Sequence, residues 1–260
     1  MDAYSPNQIA DRVQSLGVTK ARMSLRQTMV LSVLAGAFIA LGAIFYTVVS
    51  TDSLLGWGPS RLLGGVAFSL GLVLVLIAGA ELFTGNNLLT MAWASRRIST
   101  RDIVRNWLIV YVGNFLGASI LVVLAQLANL QGLHEGAVGS SAADIAQAKL
   151  ELSWSQAFFR GVLCNVLVCL AVWLCMAAHT VTGKIAGIVL PITAFVAIGL
   201  EHSVANMYLL PTGLLNATPP APPLAIVQAL VSNLIPVTLG NIAGGAGAVA
   251  LIYWLVFIKR

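Results

Sequence analysis

Six apolar runs dominate the chain, near residues 28–49, 62–94, 103–128, 156–178, 185–210 and 224–257. A helix climbs about 1.5 Å per residue, so about 20 residues cross the hydrocarbon layer of a bilayer, and every run is long enough to do so. No water reaches that layer, so each backbone amide must be paired within the protein, and for runs of this length the solution is the helix. The chain is therefore expected to be an all-α membrane protein with six transmembrane helices. Composition agrees: 58% of the 260 residues are hydrophobic and 9% charged, against about 25% charged in a soluble domain. So few charges do not clothe a soluble enzyme, and so apolar a chain does not stay disordered. Three of the runs are too long, or too interrupted, for one plain helix.

Residues 1–27 are polar and carry Arg12, Lys20, Arg22 and Arg26. They lack the apolar core and small-residue cleavage site of a secretory signal. Ile9, Val13, Leu16 and Val18 suggest instead a short amphipathic helix at the membrane surface, with Arg12 and Lys20 placed to respond to pH or lipid charge. Residues 28–258 then form a single six-span domain. Lysine and arginine set its direction. Eleven basic residues fall on one side (Arg12, Lys20, Arg22, Arg26, Arg96, Arg97, Arg101, Arg105, Lys184, Lys259 and Arg260), and three, Arg61, Lys149 and Arg160, on the other. Both termini are expected in the cytoplasm. The net charge of +5 is a topology signal, and no nucleic-acid partner is expected. Cys164, Cys169 and Cys175 share one apolar run at spacings unsuited to a disulfide, and are expected as free buried thiols.

The two halves repeat. The second run holds Glu81-Leu-Phe-Thr-Gly-Asn86 and the fifth Glu201-His-Ser-Val-Ala-Asn206. The third run carries Asn106, Gly113-Asn114 and Gly117, and the sixth carries Asn233, Gly240-Asn241 and Gly244 at the same spacing. Each half, about 28–128 and 156–258, has three spans, so the second enters the bilayer upside down: an inverted repeat. A carboxylate at membrane depth costs several kcal/mol unless it is bonded or neutralised. A broken helix is tolerated there only where its free backbone lines a cavity or is buried in protein. Glu81 with Asn86, and Glu201 with Asn206, are therefore expected to support two interruptions, in the second and fifth spans. Gly64, Gly65, Gly71, Gly79, Gly240, Gly244 and Gly245 read as close-packing positions.

His202 is the histidine inside an apolar span, and beside an interruption it points to hydrogen bonding or proton exchange with a small anion. Thr84, at the opposing break, supplies a hydroxyl next to Gly85. There is no His-Glu-x-x-His spacing and no Gly-x-Ser-x-Gly turn. Neither a metal, a cofactor nor an enzyme activity is expected.

Four motifs in order resemble the formate/nitrite transporter family: Ala80-Glu-Leu-Phe-Thr-Gly-Asn86, Cys164-Asn-Val-Leu-Val-Cys-Leu-Ala-Val-Trp173, Glu201-His-Ser-Val-Ala-Asn-Met207 and Asn233-Leu-Ile-Pro-Val-Thr-Leu-Gly-Asn-Ile242. The resemblance covers about residues 20–258. It implies an aquaporin-like protomer with interrupted second and fifth spans, assembled as a homopentamer with one pore per subunit in the cytoplasmic (inner) membrane. Neither break carries the Asn-Pro-Ala turn of an aquaporin. The resemblance makes His202 the central pore histidine, faced by Thr84, with Asn165 hydrogen-bonding nearby. Phe68, Leu72 and Phe195 resemble one apolar constriction, Val168 and Ala205 contributors to the apolar passage, and Lys149 a vestibule cation. It implies pH-dependent passage of formate, with nitrite, acetate and hydrosulfide as related monovalent anions. Two departures stand out: a Pro- and Ala-rich loop over Pro211–Pro223, and Gly85-Asn86-Asn87 after the threonine.

Overall fold

Serines punctuate the helix starts. The first amides of a helix have no intrahelical partner, and a serine oxygen just before the helix accepts from one of them. In the computed structural model, which describes residues 3–259, Ser5 does this for α1 (Pro6–Ala21) and Ser24 for α2 (Leu25–Ser50). Arg260 lies outside the described residues. The third helix, α3 (Trp57–Val73), runs on through a π-helical turn, Leu74–Gly79, before the chain leaves the helix. It resumes as a 3-10 turn, Gly85–Leu89, and the short α4 (Thr90–Ala94). Ser99 then caps α5 (Thr100–Leu127). The second half follows the same plan: α6 (Ala137–Leu150), α7 (Trp154–Ala177) and α8 (Val181–Ile198), then a break and α9 (Ser203–Leu215). The last span joins α10 (Pro223–Ile242), a π-helical stretch Ala243–Leu251 and α11 (Ile252–Phe257). Among the described residues, six helices are long and apolar enough to cross a membrane, and the second and fifth spans are the interrupted ones.

The repeat is visible in the packing. α2 packs along α5 as α7 packs along α10, and α3 meets α8 between the halves. Both long contacts depend on glycine. A Cβ on Gly117 would overlap the Val33 carbonyl, and one on Gly244 would overlap the Val162 carbonyl. Gly79 is a correction. No atom comes near the place where its Cβ would be, and its φ is +88°. It serves the turn rather than the packing. Gly199, at φ +82°, starts the other break in the same conformation. Both positions favour glycine because a Cβ is strained there.

Three further expectations shift. The amphipathic face of α1 does not lie on lipid: Ile9 and Val13 are buried against Leu88, Met91, Cys169 and Trp173. α6 occupies the stretch between the third and fourth apolar runs, where the sequence pattern marks no helix. It packs on α9, where a Cβ on Gly213 would overlap the Ala142 carbonyl. The repeat therefore gains a helix in each half, with α1 preceding α2 as α6 precedes α7. Pro211 is inside α9, so the connection to α10 is shorter than Pro211–Pro223. The three cysteines are free and buried.

Candidate functional site

Each break is tied by the same five residue positions. In the first half, Lys20 Nζ lies 3.0 Å from Glu81 Oε1. Asn86 Nδ2 donates to Glu81 Oε2 at 2.7 Å and to Asn106 Oδ1 at 3.0 Å. In the second half, Lys149 Nζ lies 2.9 Å from Glu201 Oε1. Asn206 Nδ2 donates to Glu201 Oε2 at 2.6 Å and to Asn233 Oδ1 at 2.7 Å. The fifth position is a clamp on the backbone itself. Asn114 Oδ1 accepts from the Phe83 N–H and its Nδ2 donates to the Glu81 and Ser32 carbonyls. Asn241 does the same for Ser203 N–H, Glu201 and Gly161. All four carboxylate and amide residues of the breaks are buried. Groups so placed are normally paired: both carboxylates and both amide nitrogens are, and Asn86 Oδ1 accepts from Lys20 Nζ at 2.8 Å, while Asn206 Oδ1 has no partner. Sequence reads Lys20 as a surface charge and misses its pairing with Glu81, which no spacing signals.

The symmetry fails most plainly just after the two glutamates. Glu201 is followed by His202, whereas Glu81 is followed by Leu82. His202 Nε2 lies 2.9 Å from Thr84 Oγ1, across the two breaks. Its Nδ1 accepts from the Ala205 N–H at 3.1 Å, capping α9. A backbone N–H only donates, so Nδ1 is the acceptor and the neutral ring carries its proton on Nε2. That proton points to Thr84, leaving the threonine hydroxyl proton free for another acceptor. Asn165 does not touch the histidine. Its Nδ2 donates to the Thr84 carbonyl at 3.3 Å and to the Asn241 carbonyl at 2.7 Å, joining the two halves behind the pair.

A cavity of about 300 Å³ opens on His202 from the side of Arg61, Lys149 and Arg160. Phe68 and Phe195 line it with their rings edge to face at 5.5 Å, and Phe195 stacks on His202 at 5.9 Å. Ala205 is on the same wall. Leu72 does not join the two phenylalanines. It lines a second, narrower cavity with Leu82, Leu88 and Lys20, toward the end that carries α1. The apolar residues expected in one constriction thus divide between two cavities, with the Thr84–His202 pair between them. Val168 is buried among the same apolar side chains and lines neither cavity. Leu82 and Leu88 were missed because a leucine in a membrane helix carries no signal of its own. Among the described residues no cluster of histidine, cysteine or carboxylate side chains is fit to hold a metal.

Six membrane helices in an inverted repeat, two tied breaks and a polar pair between two cavities define an integral membrane protein of the channel and transporter class. The sequence profile of the formate/nitrite transporter family matches residues 7–255, and the chain belongs to that family. It is 38% identical to the formate channel FocA of Haemophilus influenzae, over 94% of this chain and 91% of that protein. A solved pentameric formate channel with formate bound superposes with a TM-score of 0.81 at 41% identity, over 90% of this chain and 98% of that one. An ion channel of the same family gives 0.85 at 30% identity, over 96% and 98%.

Proposed function

We propose that each protomer of a homopentamer conducts formate and related small monovalent anions, in either direction, with both termini in the cytoplasm and flux that depends on pH through His202. The observation that carries this is the 2.9 Å contact between Thr84 Oγ1 and His202 Nε2 at the foot of the larger cavity. Similarity to formate channels supports the substrate, and similarity to a pentameric one supports the assembly.

The geometry assigns roles to the chain's own groups. Lys149 is paired with Glu201, so Arg61 and Arg160 leave the cavity wall positive, and the Phe68 and Phe195 rings remove water from what passes. At the pair, the Thr84 hydroxyl proton is free for an anion that has lost its hydration, and the Nε2–H of His202 can be shared between Thr84 Oγ1 and that anion. Hydrogen bonds to an ionised acceptor are worth roughly twice neutral ones. The cap from Ala205 favours donation of a hydrogen bond over transfer of the proton: a ring that gave up Nε2–H would need a proton at Nδ1, where the Ala205 N–H already points. A proton added at Nδ1 would displace the Ala205 N–H and break the cap at the start of α9.

The test is flux of formate into liposomes across pH. His202→Ala is expected to abolish the pH response and lower flux. Unchanged flux and an unchanged profile would overturn the proposal. Competition of nitrite, acetate and hydrosulfide against formate on the same sample ranks the anions.

A further inference from the structure

The three basic residues that sequence places against the majority, Arg61, Lys149 and Arg160, all line the larger cavity. Lys149 is committed to Glu201. The two arginines are held differently. Arg61 donates from Nε to the Ala197 carbonyl at 3.0 Å and from Nη2 to the Val196 carbonyl at 2.8 Å. Arg160 donates from Nη1 to the Gly199 carbonyl at 3.2 Å. These are carbonyls at the end of α8, where the helix runs out of amides to pair with them, the Val196 carbonyl also accepting from the Gly199 N–H at 3.0 Å, and where the dipole favours cations. Two guanidinium groups from α3 and α7 thus grip one helix end from two sides.

The grip has a second consequence. A guanidinium has five N–H donors, of which the carbonyl bonds occupy two on Arg61 and one on Arg160. Exposed arginines normally lose rotamer freedom when they bind, but here the carbonyls already fix both heads. Arg61 Nη2 and Arg160 Nη1 lie 2.9 Å and 4.0 Å from the point where a Gly199 Cβ would stand. The two nitrogens are therefore within about 7 Å of each other, a span that one carboxylate bridges with two ordinary hydrogen bonds. Gly199, held at φ +82°, leaves that space free of a side chain. Asp144 is the other acid on this wall and pairs with no cation among the described residues. The wall stays positive overall.

We propose that Arg61 and Arg160 form a docking fork for a small monocarboxylate or similarly planar oxyanion at the mouth of the larger cavity, upstream of His202. The planar fork matches a carboxylate better than a lysine does. The fork rests on the reading of the protein as an anion channel, and it deepens that reading: the anion is collected, and discriminated by shape, before it meets the phenylalanine rings. Apolar or cationic solutes gain nothing there.

The experiment is the concentration dependence of formate flux in liposomes, measured beside binding of 13C-formate to the purified full-length protein by NMR. Arg160→Gln, which gives up one carbonyl bond, is the main variant; Arg61→Gln is the second. The expected result is a half-saturating concentration raised about fivefold, as for loss of one charge-assisted contact. Maximal flux should stay within about twofold, the pH profile should not move, and binding should weaken in step. Arg160→Lys is expected to recover only part of the affinity. An unchanged half-saturation with lower maximal flux and a moved pH profile would overturn the fork and leave the arginines as positioning residues for the break. Unchanged flux and binding in both variants would overturn it too. If the parent protein binds formate and moves none, while Arg160→Gln loses binding, the fork stands and the channel reading falls.

Discussion

Thr84 Oγ1 and His202 Nε2 lie 2.9 Å apart although 118 residues separate them in the chain. The contact joins the two helix breaks, and it stands where the repeat departs from itself. Replacing the threonine by an isosteric valine removes the hydroxyl that would bond the passing anion, and a hydrogen bond to a charged group is worth about 1.5–3 kcal/mol. Thr84→Val is expected to lower formate flux about tenfold or more, since 1.4 kcal/mol is a factor of ten. Thr84→Ser keeps the hydroxyl and should stay within about twofold of the parent. Flux of radiolabelled formate in liposomes separates the two.

The ion pairs predict a pattern of stability. Lys20–Glu81 at 3.0 Å and Lys149–Glu201 at 2.9 Å are nearly buried and occupy equivalent places. Removing one partner of a buried pair strands the other charge and costs about 3–5 kcal/mol. Glu81→Gln and Lys20→Met are each expected to lower the melting temperature in detergent, and the double variant should recover much of the loss. The same cycle at Lys149 and Glu201 should give a coupling of the same sign. Additive losses in either cycle would show that the pair is not a unit.

Much of the architecture was legible before any coordinates, because the membrane imposes it. Run length gave the helices, and the doubled Glu–Asn and Asn–Gly–Asn spacings gave the inverted repeat with its two breaks. That Thr84 faces His202 was implied by the family resemblance, while the residues alone place the two only at opposing breaks. What stayed hidden was local. Lys20 and Lys149 lie far in sequence from Glu81 and Glu201, so neither pairing has a periodic signature. α6 was hidden because its face is made of small residues, Gly139, Ala142 and Ala146, which carry little hydrophobic contrast. The division of Phe68 from Leu72 is a matter of depth along one helix face, and spacing alone puts such residues together.

Glycine at two kinds of position should respond differently. Gly117 faces the Val33 carbonyl so closely that any Cβ must push backbone aside. Gly79 faces open space at φ +88°. Gly117→Val is expected to disrupt the α2–α5 contact and leave little protein in the membrane. Gly79→Ala meets no clash and carries only conformational strain, about 1–3 kcal/mol. It should fold, with a lowered melting temperature and altered flux through the second-span break. Expression level and thermal denaturation distinguish the two outcomes.

The two apolar sets predict barriers in series. Phe195 bounds the cavity on one side of the Thr84–His202 pair and Leu72 the cavity on the other. An anion crossing both meets two resistances, and lowering one leaves the other in place. If the two are comparable, Phe195→Ala or Leu72→Ala alone raises formate flux by no more than about twofold, however far its own barrier falls. The double variant removes both and is expected to exceed the product of the single effects. Each substitution also costs about 2–5 kcal/mol of packing, so folded protein must be quantified before rates are compared. Widening the passage should admit a larger monocarboxylate such as lactate only in the double variant. A single variant that already gives the full gain would place one dominant constriction on its own side of the pair.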